Sequence, residues 1–248
     1  MSPEILVNHA RFEERWRNEL QECTAAFSQD EAFKKAYSRL VSFQAWRIEL
    51  FQEVMCEGSL QFSLEGQNDL LVSYLLARGG QWRSALQALR AALENYTNSF
   101  YFMDHPVELK LWEIGNFRTQ FSDIIKYMIA HPSNIGISTS QNGIDIIKSE
   151  YATLSKAVHG SAVSFRMSSD EGPRFFDATP SNLGMWETRS KLVSRGLNLL
   201  MCSLFREHML ASRKRNLRKA ITYSLKSSDK AWIKETFSIT LPFGTAAQ

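Results

Sequence analysis

Apolar side chains return every three or four residues along most of this 248-residue chain, and that spacing is the helical period. In the first segment the series is Ile5, His9, Phe12, Trp16, Leu20, Cys23 and Phe27, with Glu13, Glu14, Arg15 and Arg17 turned mostly to water. A strand would alternate every second residue instead. Six prolines and twelve glycines are also few for an all-β chain of this length, which needs many turns. The expected fold is all-α, a single multi-helix bundle of about eight to ten helices.

Breaker residues divide the pattern. Ser28-Gln29-Asp30-Glu31 reads as a capping box, with Ser28 accepting from the next turn and Glu31 reaching back. The helix it opens carries Phe33, Tyr37, Leu40, Val41, Ile48, Phe51 and Met55 and ends at Gly58. A short helix with Leu70, Leu71, Tyr74 and Leu75 stops at Gly79-Gly80. The most apolar long helix follows over about 81–103, with Trp82, Ala85, Leu86, Leu89, Leu93, Tyr96 and Phe100, and is expected at the centre. His105-Pro106 breaks it, and Pro106 suits the first turn of a short helix ending near Gly115. His131-Pro132 closes another helix, and both histidines read as boundary residues. A polar loop over 132–142 leads into a helix over about 143–159. The region 161–178 is the one place where a small hairpin fits, with extended runs at 162–167 and 174–176 around a Ser-Ser-Asp-Glu-Gly turn. A long helix over about 183–212, a basic helix and a short helix around Trp232 close the chain. With no internal repeat and no Pro/Gly/Ser linker, the organisation reads as one helical domain over 1–205. A basic helical appendage over 206–248 packs on it.

Composition narrows the class. Hydrophobic residues at 44% and aromatics at 12% are enough to build a core, which excludes a disordered chain. Cys23, Cys56 and Cys202 are odd in number and far apart, so they read as small buried hydrophobes in a reducing compartment, not as a disulfide or zinc framework. Glu4, Glu13 and Glu14 interrupt any signal-peptide core, and no apolar run approaches ~18 residues. The expected location is therefore cytoplasmic, with no membrane partner. Charge is unevenly placed: residues 1–205 hold 20 Lys/Arg against 23 Asp/Glu, and residues 206–248 hold 9 against 3. The excess at Arg213, Lys214, Arg215, Arg218 and Lys219, backed by an apolar stripe of Leu210, Leu217, Ile221 and Leu225, suits phosphates of RNA or DNA.

Standard catalytic signatures are absent. The chain has no phosphate-cradling glycine loop, no H-E-x-x-H and no G-x-S-x-G, so no cofactor or metal is expected. Two polar stripes on apolar helices stand out instead. Arg83, Gln87, Arg90, Glu94 and Asn98 follow one another at spacings of 4, 3, 4 and 4. Lys148, Tyr151, Ser155 and His159 do so at 3, 4 and 4. Arg90 and Glu94 can pair one turn apart. His159 can serve as general acid or base, with Tyr151 and Ser155 orienting it or holding a substrate oxygen. Its position just before Gly160 equally suits a histidine at a helix C-terminus, favourably placed against the dipole. Glu108, Trp112 and Glu113 on the short helix can reach the same space.

The run Tyr151-Ala-Thr-Leu-Ser155-Lys-Ala-Val-His159-Gly resembles the Y-x-x-L-S-x-x-V-H signature of HEPN-like helical proteins, and an Arg- and Glu-bearing helix precedes it as in that family. The resemblance covers about residues 80–160. It implies a helical bundle, often dimeric, of the kind found in bacterial toxin–antitoxin and antiviral systems, whose active members are metal-independent ribonucleases using Arg and His. Where that family carries an arginine ahead of its histidine, this chain has Leu154, Thr153 and Ala152, so Arg90 from the earlier helix would have to substitute. Two functions are carried forward. One is a defence- or toxin-type protein binding or cleaving nucleic acid, RNA favoured, through a polar cavity of Arg90, Glu94, Tyr151, Ser155 and His159. The other is a non-enzymatic interaction subunit whose bundle and basic tail hold a protein partner, a second copy or nucleic acid in a larger protein or nucleoprotein assembly.

Overall fold

The structure, a computed structural model, describes residues 1–28, 30–160, 163–169, 172–211 and 214–242. In chain order it runs α1 (Pro3–Ala26), α2 (Glu31–Trp46), a π-helical turn (Arg47–Phe51), α3 (Gln52–Val54), α4 (Glu57–Arg78), α5 (Trp82–Asp104), α6 (Pro106–Glu113), α7 (Phe121–Ala130) and α8 (Ile144–His159). There follow a two-residue antiparallel ladder of β1 (Ser168–Ser169) and β2 (Gly172–Pro173), then α9 (Pro180–Leu204), α10 (Arg206–Ala211), α11 (Arg215–Ile221) and α12 (Ser227–Phe237). Because α2 continues through the π turn into α3, the described residues form eleven helices, one above the expected range.

α5 is the central rod, as its apolar surface predicts. Trp82, Ala85, Leu86, Leu89, Ala92 and Leu93 are all at most 2% exposed, and the helix packs on α4, α7, α8 and α9. The α4–α5 contact is built on small residues. α4 buries Ser59, Ser63, Gly66, Leu70, Ser73 and Ala77. Ser59 and Ser99 donate to each other's backbone carbonyls at 2.7 Å, and Ser73 donates to the Ala85 carbonyl at 2.7 Å. A Cβ at Gly66 would stand 2.7 Å from the Tyr96 ring, so the glycine is what admits that ring.

Several sequence expectations change here. α4 is a 22-residue helix, not a short one, and Gly58 lies in its first turn against Leu109; the preceding rod ends at the extended Met55. Asp30, not Ser28, caps α2 by accepting from the Ala32 N–H at 2.7 Å; Gln29 lies outside the described residues. The hairpin exists but is displaced, pairing Ser168 with Pro173 and Ser169 with Gly172, while Val163–Phe165 forms a 3-10 turn. The long helix expected to Ser212 breaks at Phe205.

The C-terminal helices pack into the core of the bundle. Leu217, Ile221, Ile233 and Ile239 are fully buried in the same core as Trp46, Leu93 and Leu197, and Leu225 joins it at its edge. Arg195 on α9 holds the Asp229 carboxylate in a two-bond fork at 2.8 and 2.7 Å. Leu210, expected on the apolar stripe, is 51% exposed. The opposite departure occurs at the other end: α1 buries only Cys23, and Ile5, Phe12 and Trp16 stay exposed on the face predicted to pack inward. Phe12 meets Phe175 edge-on, with ring centroids 5.7 Å apart. Of the cysteines, Cys23 and Cys202 are buried and Cys56 is exposed. Among the described residues no helix is long and apolar enough to cross a membrane.

Candidate functional site

The two polar stripes face each other where α5 crosses α8. Arg90 is the hub: its Nε donates to Ser155 Oγ at 3.1 Å and its Nη2 to the Tyr151 hydroxyl oxygen at 2.6 Å. The same Nη2 lies 2.9 Å from Glu94 Oε1, and the guanidinium carbon sits 4.7 Å from the centroid of the Tyr151 ring. Tyr151 in turn donates its hydroxyl proton to Glu94 Oε1 at 3.0 Å, and Ser155 donates to the Tyr151 carbonyl at 2.7 Å. Burial, reinforced by the neighbouring Glu94 carboxylate, pushes the Tyr151 phenol up. It therefore stays protonated and keeps donating. Phe121 at the start of α7 stacks on Tyr151, with centroids 3.6 Å apart and planes 7° from parallel.

The remaining stripe residues are placed differently. Arg83 sits two helical turns before Arg90 and donates from Nε to the Ala157 carbonyl at 2.9 Å and from Nη2 to the Val158 carbonyl at 3.1 Å. These are unpaired carbonyls of the last turn of α8, which a cation satisfies well. Gly160, left-handed at φ 62°, keeps this approach open. His159 ends α8 exposed to solvent, with no hydrogen bond or ring contact to any described residue. It does not join the Arg90 cluster. Lys148 is exposed and also outside it.

Each cation expected at the basic end has a definite position except Arg213, which lies outside the described residues. Lys214 pairs with Glu53 at 2.7 Å, and Arg218 donates to the Met209 carbonyl. Arg215 and Lys219 are exposed, and so are Lys226 and Lys234. None of these four side chains has an ion pair among the described residues.

Sequence reasoning missed one further cluster. Asp104 accepts from Tyr127 at 2.8 Å and from His131 Nε2 at 3.1 Å, while His131 Nδ1 accepts from the Ser133 N–H at 3.1 Å. That second bond places the imidazole proton on Nε2, facing the carboxylate. His105 stacks on Tyr101 with centroids 4.0 Å apart. The two histidines were legible as helix boundaries. Their meeting with Asp104 and Tyr127 depends on how α5 and α7 pack, which no local spacing encodes. Among the described residues no group of three or more His, Cys, Asp or Glu side chains is arranged to hold a metal ion.

No family model matches the chain, and no curated protein and no solved structure matches it either.

Proposed function

We propose that the protein binds nucleic acid, RNA in preference, as a HEPN-like member of a bacterial defence or toxin–antitoxin system. In this reading the Arg90 cluster is the frame of the site, not a cleaving centre. The observation that carries the proposal is the convergence of the two motifs on which the resemblance rests: Arg90 and Glu94 from one, Tyr151 and Ser155 from the other, joined by direct hydrogen bonds. Binding is favoured over cleavage by what surrounds Arg90. General acid–base catalysis needs a titrating group within about 2.6–3.2 Å of the proton it moves. The only histidine of the motif, His159, touches nothing in the cluster, and Arg90 already serves three partners. Arg215, Lys219, Lys226 and Lys234 supply exposed positive charge for phosphates.

The test is fluorescence anisotropy with single-stranded RNA over a salt series. Changing those four cations to Gln should lower affinity and flatten the salt dependence by about 0.7 log units per lost contact. Absence of binding at low salt, or an unchanged slope in the variant, rejects the reading. Cleavage of RNA without added metal, abolished by His159→Ala, would restore the catalytic one.

A second reading, the interaction subunit, is favoured by α1, whose apolar residues Ile5, Phe12 and Trp16 lie open on one long helix. Its mark would be a stable assembly, in the absence of nucleic acid, that Phe12→Glu disperses.

A further inference from the structure

Glu94 has a second role to fill, because only one of its oxygens serves the Arg90 cluster. Oε1 receives both Tyr151 and Arg90. The carboxylate also lines a pocket of about 270 Å³ where α4, α5, α6 and α7 meet. Its walls include three aromatic rings: Phe62 on α4, Trp112 on α6 and Phe121 on α7. Phe62 and Trp112 lie 4.8 Å apart at a tilt of 59°, and Trp112 is 45% exposed, so its ring stands at the rim. Phe121 already stacks on Tyr151, which holds its plane fixed.

Two amides join Glu94 along the α5 side, Asn95 and Asn98. Asn95 donates through Nδ2 to Asp69 Oδ2 at 2.7 Å, which leaves its carbonyl oxygen as acceptor. The Asn98 side chain has no partner among the described residues, although it continues the stripe of Arg90 and Glu94. The pocket thus combines aromatic walls, two hydrogen-bond acceptors and one amide able to donate or accept. It is smaller than the ~300–1,000 Å³ of sites for drug-sized ligands, and suits one ring system, not an oligomer.

We infer that this pocket receives a single nucleobase bearing an exocyclic amino group, guanine being the best match. Its ring would lie against the aromatic walls, as unstacked bases do in single-strand recognition. Guanine presents two adjacent donors, a ring N–H and an amino group, to the Glu94 and Asn95 acceptors, and a carbonyl oxygen to the Asn98 amide. Uracil places carbonyl oxygens on both sides of its single N–H, and those would meet the carboxylate with like charge. The inference rests on the RNA reading only for the source of the base; the pocket's chemistry is independent of it.

The probes are guanosine and uridine 5′-monophosphates, titrated by calorimetry with tryptophan fluorescence followed in parallel. The guanosine compound should bind saturably and quench Trp112, a signal lost in Trp112→Phe, and the uridine compound should bind roughly tenfold more weakly or worse. Asn98→Ala should weaken the guanosine compound by about tenfold with an unchanged melting temperature. Equal affinity for the two, no saturable binding, or an unaffected Asn98→Ala variant overturns the inference. RNA binding without guanosine 5′-monophosphate binding sinks the pocket and leaves the basic end standing. The reverse sinks the RNA reading and leaves a mononucleotide site.

Discussion

Removing Arg90 is the sharpest test of how α5 and α8 are joined. In Arg90→Ala three polar contacts and one cation–π contact disappear together. Hydrogen bonds to a charged group contribute ~1.5–3 kcal/mol each, but the partners here are not all stranded. Tyr151 still donates to Glu94, and Ser155 still donates to the Tyr151 carbonyl. The Glu94 side chain is 34% exposed, so water can solvate what Arg90 leaves behind. The loss should therefore fall below the ~3–5 kcal/mol of a fully buried broken pair, at about 2–3 kcal/mol. For a chain of this size that lowers the melting temperature by roughly 4–12 °C. Arg90→Lys should recover part of it, since an ammonium can pair with Glu94 but cannot fork to Tyr151 and Ser155. Chemical denaturation of Arg90→Ala, Tyr151→Phe and the double variant gives the coupling directly, expected at about 1 kcal/mol or more. A coupling of zero, or an Arg90→Ala melt within a degree of wild type, would refute the view that this cluster fastens the two helices.

Two carboxylates should respond to pH with opposite sign. At Asp104 burial pushes the carboxyl up, but the bonds from His131 and Tyr127 outweigh it and hold the group below its ordinary value. Its contribution is therefore complete above the unfolded value near ~3.9 and lost as pH falls through the folded one, so urea melts of Asp104→Asn should show a flatter acid limb than wild type. At Glu150, burial raises the carboxyl despite its 2.8 Å bond to Arg189, and Oε2 has no hydrogen-bond partner among the described residues. The charged form is therefore penalised as pH rises past the unfolded value. Glu150→Gln should gain stability relative to wild type at pH 7 compared with pH 4, and the opposite trend would contradict this assignment.

The parts of the fold built from large apolar side chains were legible. Trp82 through Phe100 announces a central helix because every third or fourth residue is big and greasy, and the Arg90 and Tyr151 stripes stand out against that background. The sequence makes α4 look short because its packing face is Ser59, Ser63, Gly66 and Ser73, which reads as a polar surface; in the fold Ser59 and Ser73 donate to carbonyls on α5, and Ser73 accepts from the Trp186 indole of α9. Periodicity also says that α1 is a helix without saying what covers it, so its outward Ile5, Phe12 and Trp16 could not be foreseen. In the candidate site, spacing predicted which residues share a face but not how far along α8 the contact reaches. Arg83 takes the last carbonyls of that helix, and His159, in step with Ser155, is left outside.

The π turn at Arg47–Phe51 carries a record of register. A helix that must keep Trp46 buried just before the turn and Leu50 and Phe51 buried at its end accommodates one residue more than the α-helical count allows, and the wide turn takes up the surplus. Elsewhere in a helix, loss of one residue swings everything beyond it by about 100°, so that buried side chains face water. Here the loss of the exposed Ile48 would close the wide turn into ordinary α-helix and leave both flanks facing as they do now. This short turn between α2 and α3 is thus tolerant of a change in length that would rotate the buried face of the other described helices.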